Sequence, residues 1–266
     1  MGNSGSWFGS KPIVDLTVLL TVYKRNTLKR QIDALRRQTV APKHIIVYHD
    51  ETHRRIPKRW LVRNGFWVTE NSFNTKFHGR FASLLNAPTE WVTVLDDDII
   101  PGQECLESYL DQAASLDAIV GGMGRIARSN PVRESLQQPA DVGLRDEPSL
   151  VDFVGHMWLM RKSTLFDMFA FEPVTWDTGE DMHLCFSAKL RSGTRSYAAA
   201  QPTEESSCDV SMNKYADDDF AAYKTMPKSE REKVEQYFIG LGMSFITEEE
   251  QAMPVNWDMT RSAAAS

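Results

Sequence analysis

Three consecutive aspartates, Asp96 to Asp98, stand between two apolar runs, VTVL before them and IIPG after them. Adjacent carboxylates repel one another, and each loses hydration when it is partly buried. A bound divalent cation removes this cost, and carboxylate oxygens suit Mg²⁺ or Mn²⁺, which typically also hold substrate phosphates. The alternative is an exposed turn that caps a following helix. However, the apolar residues on either side would partly bury the cluster, and buried carboxylates need partners. The segment therefore predicts a metal ion that holds a phosphate group.

A second acidic pair, Glu180 and Asp181, follows Gly179 at the start of a predicted helix. Backbone N–H groups at a helix N-terminus favour a carboxylate, so the pair could simply cap the helix. The functional alternative is a general base that deprotonates an acceptor hydroxyl, and spacing alone leaves both open. A further acidic run, residues 216–220, lies in a polar stretch and is interpreted as a solvent-exposed turn.

The elements that must position these carboxylates alternate between strand and helix, which favours a mostly parallel sheet with helices on its faces. Strands are predicted at residues 13–23, 43–50, 59–71, 90–98, 117–126 and 150–162. Helices are predicted at residues 26–39, 79–87, 104–116, 163–169, 178–193 and 228–242, the first one capped by Asn26 or Thr27. Polar residues 128–149 predict a long surface loop, and loops of that length are often functional. Because ligands bind beyond the carboxyl ends of the strands in an open α/β sheet, the aspartate triplet lies where a ligand is expected.

Composition excludes several classes of protein. The chain has 266 residues and a net charge of −6, so nothing favours nucleic acid beyond a local basic patch left open between Lys24 and Arg37. Three cysteines without a CxxC spacing argue against a disulfide framework or a structural zinc site and favour a reducing compartment. No apolar run reaches transmembrane length, so we expect a cytoplasmic protein. Gly2 and Ser6 fit the pattern for N-myristoylation; we favour a chance match, and a single acyl chain would give only weak membrane association.

Four segments, in this order, resemble the GT-A class of nucleotide-sugar glycosyltransferases. They are TVLLTVYKRNTLKRQIDAL, IIVYHDE, VLDDDIIPG, which is similar to the DxD motif, and GEDMHLCFSAKL, which is similar to the late ED motif. The ED helix and the TVYKRN segment are similar to family-two-type inverting enzymes, whereas LDDDI, HGRF and VGGMGR are also similar to exostosin-like retaining enzymes. The resemblance implies a GT-A type α/β fold, mostly parallel and Rossmann-like, with a C-terminal helical extension.

The resemblance also implies a division of the chain. Residues 1–12 would be a disordered N-terminus and residues 13–202 the glycosyltransferase domain. Within that domain, residues 13–100 would bind the nucleotide and residues 101–202 the acceptor, and residues 203–266 would be a helical extension of the same domain.

Carried over residue by residue, the resemblance assigns a role to each candidate. Asp98 would be the firmest ligand of Mn²⁺ or Mg²⁺, with Asp96 or Asp97 touching the metal or the ribose. Asp181 would be the base, with Glu180 beside the donor sugar or the acceptor. The nucleotide of the UDP-sugar would contact Thr21, Tyr23, Arg25, Asp50, Glu51 and Arg80. The acceptor would contact Trp176, Asp177, Trp158 and His156, although both tryptophans could equally be core residues.

The function implied is transfer of a sugar from a UDP-sugar to a hydroxyl of a glycan or glycoconjugate, with inversion favoured because of the ED helix. The metal would neutralise the leaving diphosphate while Asp181 takes the acceptor proton. Retention by an exostosin-like enzyme is one alternative. A nucleotidyltransferase is disfavoured because TVYKRNTLKR lacks a glycine-rich loop, and a non-catalytic carbohydrate-binding module remains a third alternative.

Overall fold

The computed structural model describes residues 9–51, 53–139, 143–212, 214–215, 218–219, 221–255 and 257. The predicted disordered segment 1–12 falls mostly outside the described residues, as do Gly2 and Ser6. The three cysteines of the chain, Cys105, Cys185 and Cys208, are buried and free.

Strands and helices alternate through the first half of the chain, as the periodicity predicted. These elements are β1 (Ile13–Val22), α1 (Leu28–Arg37), β2 (Ala41–His49), α2 (Lys58–Arg63), β3 (Trp67–Glu70), α3 (His78–Ser83) and β4 (Trp91–Leu95). A single 3₁₀ turn, Leu84–Asn86, extends α3.

The second half contains the remaining strands and most of the helical content. These elements are α4 (Cys105–Leu116), β5 (Ile119–Arg125), β6 (Ser149–Val151), β7 (Phe153–Arg161), α5 (Ser163–Met168), α6 (Glu180–Ser192), β8 (Ser196–Ala198), α7 (Ala222–Thr225), α8 (Lys228–Gly240) and α9 (Glu248–Ala252). No described helix is both long enough and apolar enough to cross a membrane.

Eight strands form one sheet in the order β3-β2-β1-β4-β7-β5-β8-β6. The first four run parallel to one another, whereas β7 is antiparallel to both β4 and β5. β8 is parallel to β5 and antiparallel to β6. The sheet is therefore mixed but mostly parallel, which confirms the predicted α/β class.

The carboxyl ends of β1, β2 and β4 meet at one edge of the sheet because these strands are parallel and in register. Leu20 near the end of β1 pairs with Leu95 at the end of β4. β7 runs the other way, so its first half reaches the same edge, where Met157 pairs with Leu95. Asp50, the aspartate triplet and His156 therefore lie along this edge, as expected for ligand-binding residues of an open α/β sheet.

Apolar side chains of successive strand residues alternate between two core layers. One layer contains Leu35 of α1, Leu61 of α2 and Tyr109 of α4, and the other contains Phe81 of α3, Phe186 of α6 and Phe238 of α8. The second layer matters most here, because it fixes α3 and α6, the helices that carry Arg80 and the Glu180–Asp181 pair.

The segment predicted as a weak third strand, residues 59–71, is half helix and half strand. It begins with the last five residues of α2 and continues as the four-residue strand β3. Only Leu61 is buried in α2, so the short helix shows no apolar periodicity that could separate it from an irregular strand.

Residues after β8 close the site from the other side. Backbone hydrogen bonds from Gly102 to Ser207 (2.8 Å) and from Val210 to Ile100 (2.9 Å) pair this segment with the chain that follows the aspartate triplet. α8 then packs on α6, with the ring of Phe238 5.8 Å from that of Phe186. Side chains from the C-terminal segment can therefore reach both acidic clusters.

The predicted loop of residues 128–149 consists largely of turns, and residues 140–142 lie outside the described part of the chain. Asn130 anchors its first half by donating to the carbonyl of Ile246 (3.0 Å) and to Asp152 (3.1 Å). The loop thus packs against the segment between α8 and α9.

Candidate active site

The aspartate triplet is held by its backbone carbonyls. Gln31 on α1 donates to the carbonyls of Asp96 (2.7 Å) and Ile99 (3.1 Å), and the hydroxyl of Thr27 donates to the carbonyl of Asp97. Thr27 lies at the N-cap position of α1, but its side chain accepts no hydrogen bond from the first turn of the helix. The prediction that the Thr27 side chain caps α1 is therefore wrong. Because the carbonyls are bound by α1, the three carboxylates are left to interact elsewhere.

Arg80 joins the two acidic clusters. Its guanidinium donates to Asp96 and, at 2.8 Å, to Glu180, and it lies 4.9 Å from the ring centre of Trp158. Burial alone would lower the pKa of Arg80, but Asp96 and Glu180 more than offset it, so the pKa is raised. The side chain is therefore a permanent buried cation between the triplet and the ED helix.

Arg25 binds the other two aspartates of the triplet. Its Nη1 lies 2.5 Å from Asp97 and 3.2 Å from Asp98, while Nε and Nη2 each donate to a different oxygen of Asp218 at 2.8 Å. The run at residues 216–220 was interpreted as a solvent-exposed turn, and for Asp218 this is wrong, because the carboxylate binds Arg25 in a bidentate ion pair. Asp219 lies beside it, while Ala216, Asp217 and Phe220 lie outside the described residues.

Asp98 retains one oxygen without a protein partner. Its Oδ1 is buried and makes no hydrogen bond, and burial together with Asp96 and Asp97 raises the pKa of Asp98 to about 8. A buried carboxylate with one unbonded oxygen fits a divalent cation. Among the described residues no group of three or more acidic, histidine or cysteine side chains is arranged to hold a metal ion without further ligands. Such a site suits an ion that takes its remaining ligands from water and a diphosphate.

Asp181 lies in the first turn of α6 with both oxygens engaged. Oδ1 accepts from the N–H of Met182 (2.8 Å), and Oδ2 accepts from Nη2 of Arg231 on α8 (2.8 Å). Gly179, which precedes the pair, has φ of 84°, and a Cβ there would lie 3.1 Å from Val234 of α8. Glycine thus permits both the left-handed turn and the close approach of the two helices.

Glu180 is buried beside Asp181 and accepts from Arg80. Burial, followed by the charge of Asp181, raises the pKa of Glu180 to about 7, although Arg80 and Arg231 act in the opposite direction. Two adjacent carboxyl groups with separated environments can take different roles, one as an acid or hydrogen-bond partner and the other as a base.

Three ring side chains, Trp176, His78 and His183, pack in a row near Asp181. Trp176 is 54% exposed, its ring centre lies 5.2 Å from that of His78, and the His78 ring lies 5.6 Å from that of His183. Burial, with His183 and Arg80, lowers the pKa of His78 to about 4, so this imidazole is neutral at physiological pH. The exposed face of Trp176 offers a large apolar contact at this end of the site.

The other three predicted acceptor residues, Trp158, His156 and Asp177, lie in different environments. Trp158 is wrong as an acceptor contact, because its ring is 2% exposed and its N–H donates to Val154 (2.7 Å) within the core. His156 lies beside the triplet, where its carbonyl accepts from the N–H of Asp96 (3.1 Å). Asp177 is exposed next to Trp176 and pairs with Lys76 at 3.2 Å.

The predicted nucleotide contacts lie at the ends of β1 and β2. Asp50 is buried and accepts from the hydroxyl (2.9 Å) and the N–H (3.2 Å) of Thr75. The hydroxyl of Tyr23 accepts from Asn74 (3.1 Å), so both strand ends contact one loop between β3 and α3. That loop was missed from the sequence, since it contains no motif beyond small polar residues.

Two further predicted nucleotide residues complete this end of the site. Thr21 has a buried hydroxyl that makes no hydrogen bond within the described chain. Glu51 adopts a positive φ of 53° and pairs with His53 at 3.1 Å, so its carboxylate points to a histidine rather than to the triplet.

A model of the protein family described as "Glycosyl transferase family 2" matches residues 17–169, more than half of the chain. Comparison with curated protein sequences gave no match. Among solved structures, the chain is similar to S. aureus TarS 1–349 in complex with UDP-GlcNAc, with 13% identity and a TM-score of 0.58. That alignment covers 89% of this chain and 69% of TarS 1–349.

Two further structures show the same fold at the lower limit of similarity. TarS 1–349 in complex with UDP is 14% identical, with a TM-score of 0.50 and coverage of 70% of this chain and 57% of that one. GalNAc-T7 with UDP, GalNAc and Mn²⁺ is 13% identical, with a TM-score of 0.50 and coverage of 69% and 41%. The chain therefore spans less than two thirds of the length of several structures that it matches, and identities this low establish the fold alone.

Proposed function

The chain belongs to glycosyl transferase family 2, and we propose that it transfers a sugar from a UDP-sugar to a hydroxyl group of a glycan or glycoconjugate, with inversion of configuration. The observation that carries the proposal is the bridge made by Arg80 between Asp96 and Glu180. It brings the donor-side carboxylates next to the predicted base, as a displacement in one step requires. TarS structures with bound UDP and UDP-GlcNAc support a UDP-sugar as donor.

The nucleotide would bind across the ends of β1 and β2. Asp50 is fixed there by Thr75 and offers a carboxylate to a base N–H or to ribose hydroxyls. Thr21, with its unpaired buried hydroxyl, and Tyr23 would line the same pocket. This arrangement follows the rule that ligands of open α/β sheets bind beyond the strand ends.

Asp98, assisted by Asp96, would hold Mn²⁺ or Mg²⁺. A bound divalent cation would neutralise the diphosphate as it leaves. GalNAc-T7, which has the same fold, has been solved with Mn²⁺. Arg25 contributes in a different way, because its contacts of 2.5 Å to Asp97 and 3.2 Å to Asp98 offset part of the negative charge of the triplet.

Asp181 would take the proton of the acceptor hydroxyl while that oxygen attacks C1 of the sugar. An ionised carboxylate has about four lone-pair sites, so the bonds from Met182 and Arg231 leave room for the hydroxyl. Arg231 fixes the carboxylate from one side, and the exposed ring of Trp176 would hold an acceptor sugar on the other. The C–O bond to the diphosphate breaks as the new glycosidic bond forms, and UDP leaves.

A thermal-shift screen with nucleotides, each with and without Mn²⁺, tests the class of donor. We expect UDP with Mn²⁺ to raise the melting temperature, and a UDP-sugar screen with the same ion to reveal slow hydrolysis. Stabilisation by a nucleoside triphosphate instead would favour a nucleotidyltransferase, and no response to any nucleotide would favour a non-catalytic module. NMR analysis of the product's anomeric configuration separates inversion from retention.

A further inference from the structure

A second surface, on α2 and the residues that precede it, combines exposed basic and aromatic side chains. Residues 53–63, with the sequence HRRIPKRWLVR, contain five arginines and lysines and no acidic residue. They include α2, and the exposed Trp67 of β3 follows. We call the surface formed by Arg55, Arg59, Trp60 and Arg63 the basic-aromatic patch.

The three arginines of the patch form no ion pair with a carboxylate of the described residues. Lys58 pairs with Glu70, and Arg54 donates to the backbone carbonyl of Lys24. Arg55, Arg59 and Arg63, in contrast, make no ion pair within the described residues and are all exposed. Arg59 and Arg63 are four residues apart on α2, so they share one face of the helix.

The tryptophans are exposed to an unusual degree for their size. Trp60 is 40% exposed and Trp67 43% exposed, and Val62 between the arginines is 56% exposed. The ring of Trp60 lies 6.0 Å from that of Phe66, which packs in the same core layer as Leu61 of α2. Trp67 points to the other face of β3, where its ring lies 5.0 Å from that of His44. β3 is the terminal strand of the sheet and pairs only with β2.

We infer that the basic-aromatic patch docks on a membrane surface that contains anionic phospholipid. Tryptophan prefers the boundary between headgroups and acyl chains, and arginine binds lipid phosphate groups. Unpaired arginines beside an exposed tryptophan are therefore the side chains that such a boundary selects. This inference does not depend on the proposed transferase activity.

Charge argues against the other candidate partners. The whole chain carries −6 although this segment is strongly basic, so a long polyanion that extended beyond the patch would meet acidic surface. A planar membrane can contact the patch alone. A second copy of the chain is also disfavoured, because a two-fold contact at this patch would oppose arginines with arginines.

Flotation with lipid vesicles tests the inference on the full chain, produced in bacteria without an acyltransferase so that Gly2 stays unmodified. We expect binding to vesicles of phosphatidylcholine with one quarter phosphatidylglycerol and much weaker binding to phosphatidylcholine alone. Arg59→Gln with Arg63→Gln should lower the partition coefficient at least about tenfold at low salt, the order expected for two basic residues near an anionic surface. Trp60→Ser should lower binding to the same vesicles at high salt, where charge is screened.

The control removes two exposed arginines at the end of α6 and just before β8, Arg191→Gln with Arg195→Gln, which should leave vesicle binding unchanged. Circular dichroism melting of every variant separates lost binding from lost folding. Equal loss in the control, or equal binding to neutral and anionic vesicles, would overturn the inference. Binding to polyphosphate or DNA without binding to vesicles would also overturn it, as would a dimer that Trp60→Ser converts to a monomer while wild type ignores vesicles.

Discussion

Arg231 donates to Asp181 at 2.8 Å, although the two residues belong to different helices and are 50 residues apart in sequence. The Gly179 turn and the packing of Phe238 on α6 bring α8 close enough for this contact. We predict that Arg231 is a positioning residue: Arg231→Gln should lower kcat about tenfold or more while KM for the UDP-sugar stays unchanged, because a misplaced base loses proximity rather than donor affinity.

Two further variants test whether that effect passes through Asp181. Arg231→Lys should recover part of kcat, since an ammonium can still donate to the carboxylate. Combining Arg231→Gln with Asp181→Asn should give no more loss than Asp181→Asn alone, as expected for two residues that act as a unit. Fully multiplicative losses, or a raised KM for the donor, would assign Arg231 a role outside the base.

Asp98 provides the sharpest prediction for the metal. Asp98→Asn keeps the size of the side chain but removes the charge, so we expect it to abolish the part of the UDP thermal shift that depends on Mn²⁺ and to lower kcat roughly 10²-fold or more. Asp219→Asn is the matched control, an aspartate in the neighbouring described segment that contacts none of the triplet. A normal Mn²⁺ response in Asp98→Asn would remove this residue from the metal site.

Much of this arrangement was accessible from the sequence. Apolar runs that end in Asp50 and Asp96 predicted the strand ends of the site. The hydrophobic pattern of a strand and the polar residue that ends it are both visible in a short stretch of sequence. Arg231 and Asp218 were not predictable in this way. Asp218 binds Arg25 across 193 residues, and only the packing of the C-terminal segment creates that contact.

Trp158 and Trp176 also show that contacts between distant segments could not be predicted from the sequence. Trp158 and Trp176 had the same two interpretations, but pairing of β7 with β4 and β5 buries Trp158, whereas the turn before Gly179 leaves Trp176 exposed. Burial of a side chain in the middle of a sheet depends on which strands flank it, and one strand's sequence does not contain that information.

Trp176 should therefore affect the acceptor alone. Trp176→Ala is expected to raise KM for the acceptor about tenfold, consistent with loss of one aromatic contact, without changing KM for the UDP-sugar. Donor hydrolysis in the absence of acceptor should stay at the wild-type rate. Trp60→Ala, which removes another exposed tryptophan, is the control in a detergent-free assay with a soluble acceptor. An unchanged acceptor KM would exclude stacking on Trp176.

Arg80 should contribute to stability as well as to the site. Arg80→Met leaves Glu180 and Asp96 without their shared cation, and breaking a buried ion pair from one side typically costs about 3–5 kcal/mol. We expect urea denaturation to show a loss in this range at pH 8 and a smaller loss for Arg80→Met combined with Glu180→Gln, because the neutral amide no longer needs the cation. Equal losses for the single and double variants would contradict this coupling.

Glu180 predicts how stability changes with pH. Burial, with Asp181 nearby, raises the pKa of Glu180 from 4.5 to about 7, so the folded state holds a proton that the unfolded state has released between these values. Stability conferred by the protonated side chain is therefore present below about pH 4.5 and is lost as the pH rises through about 7. Urea denaturation at pH 5.5 and pH 8 should show a fall on the order of 2 kcal/mol that Glu180→Gln removes in part, since its amide does not titrate. An identical fall in the wild type and Glu180→Gln would assign the pH dependence to other groups, and Glu232→Gln, on the exposed face of α8, controls for the loss of one surface carboxylate.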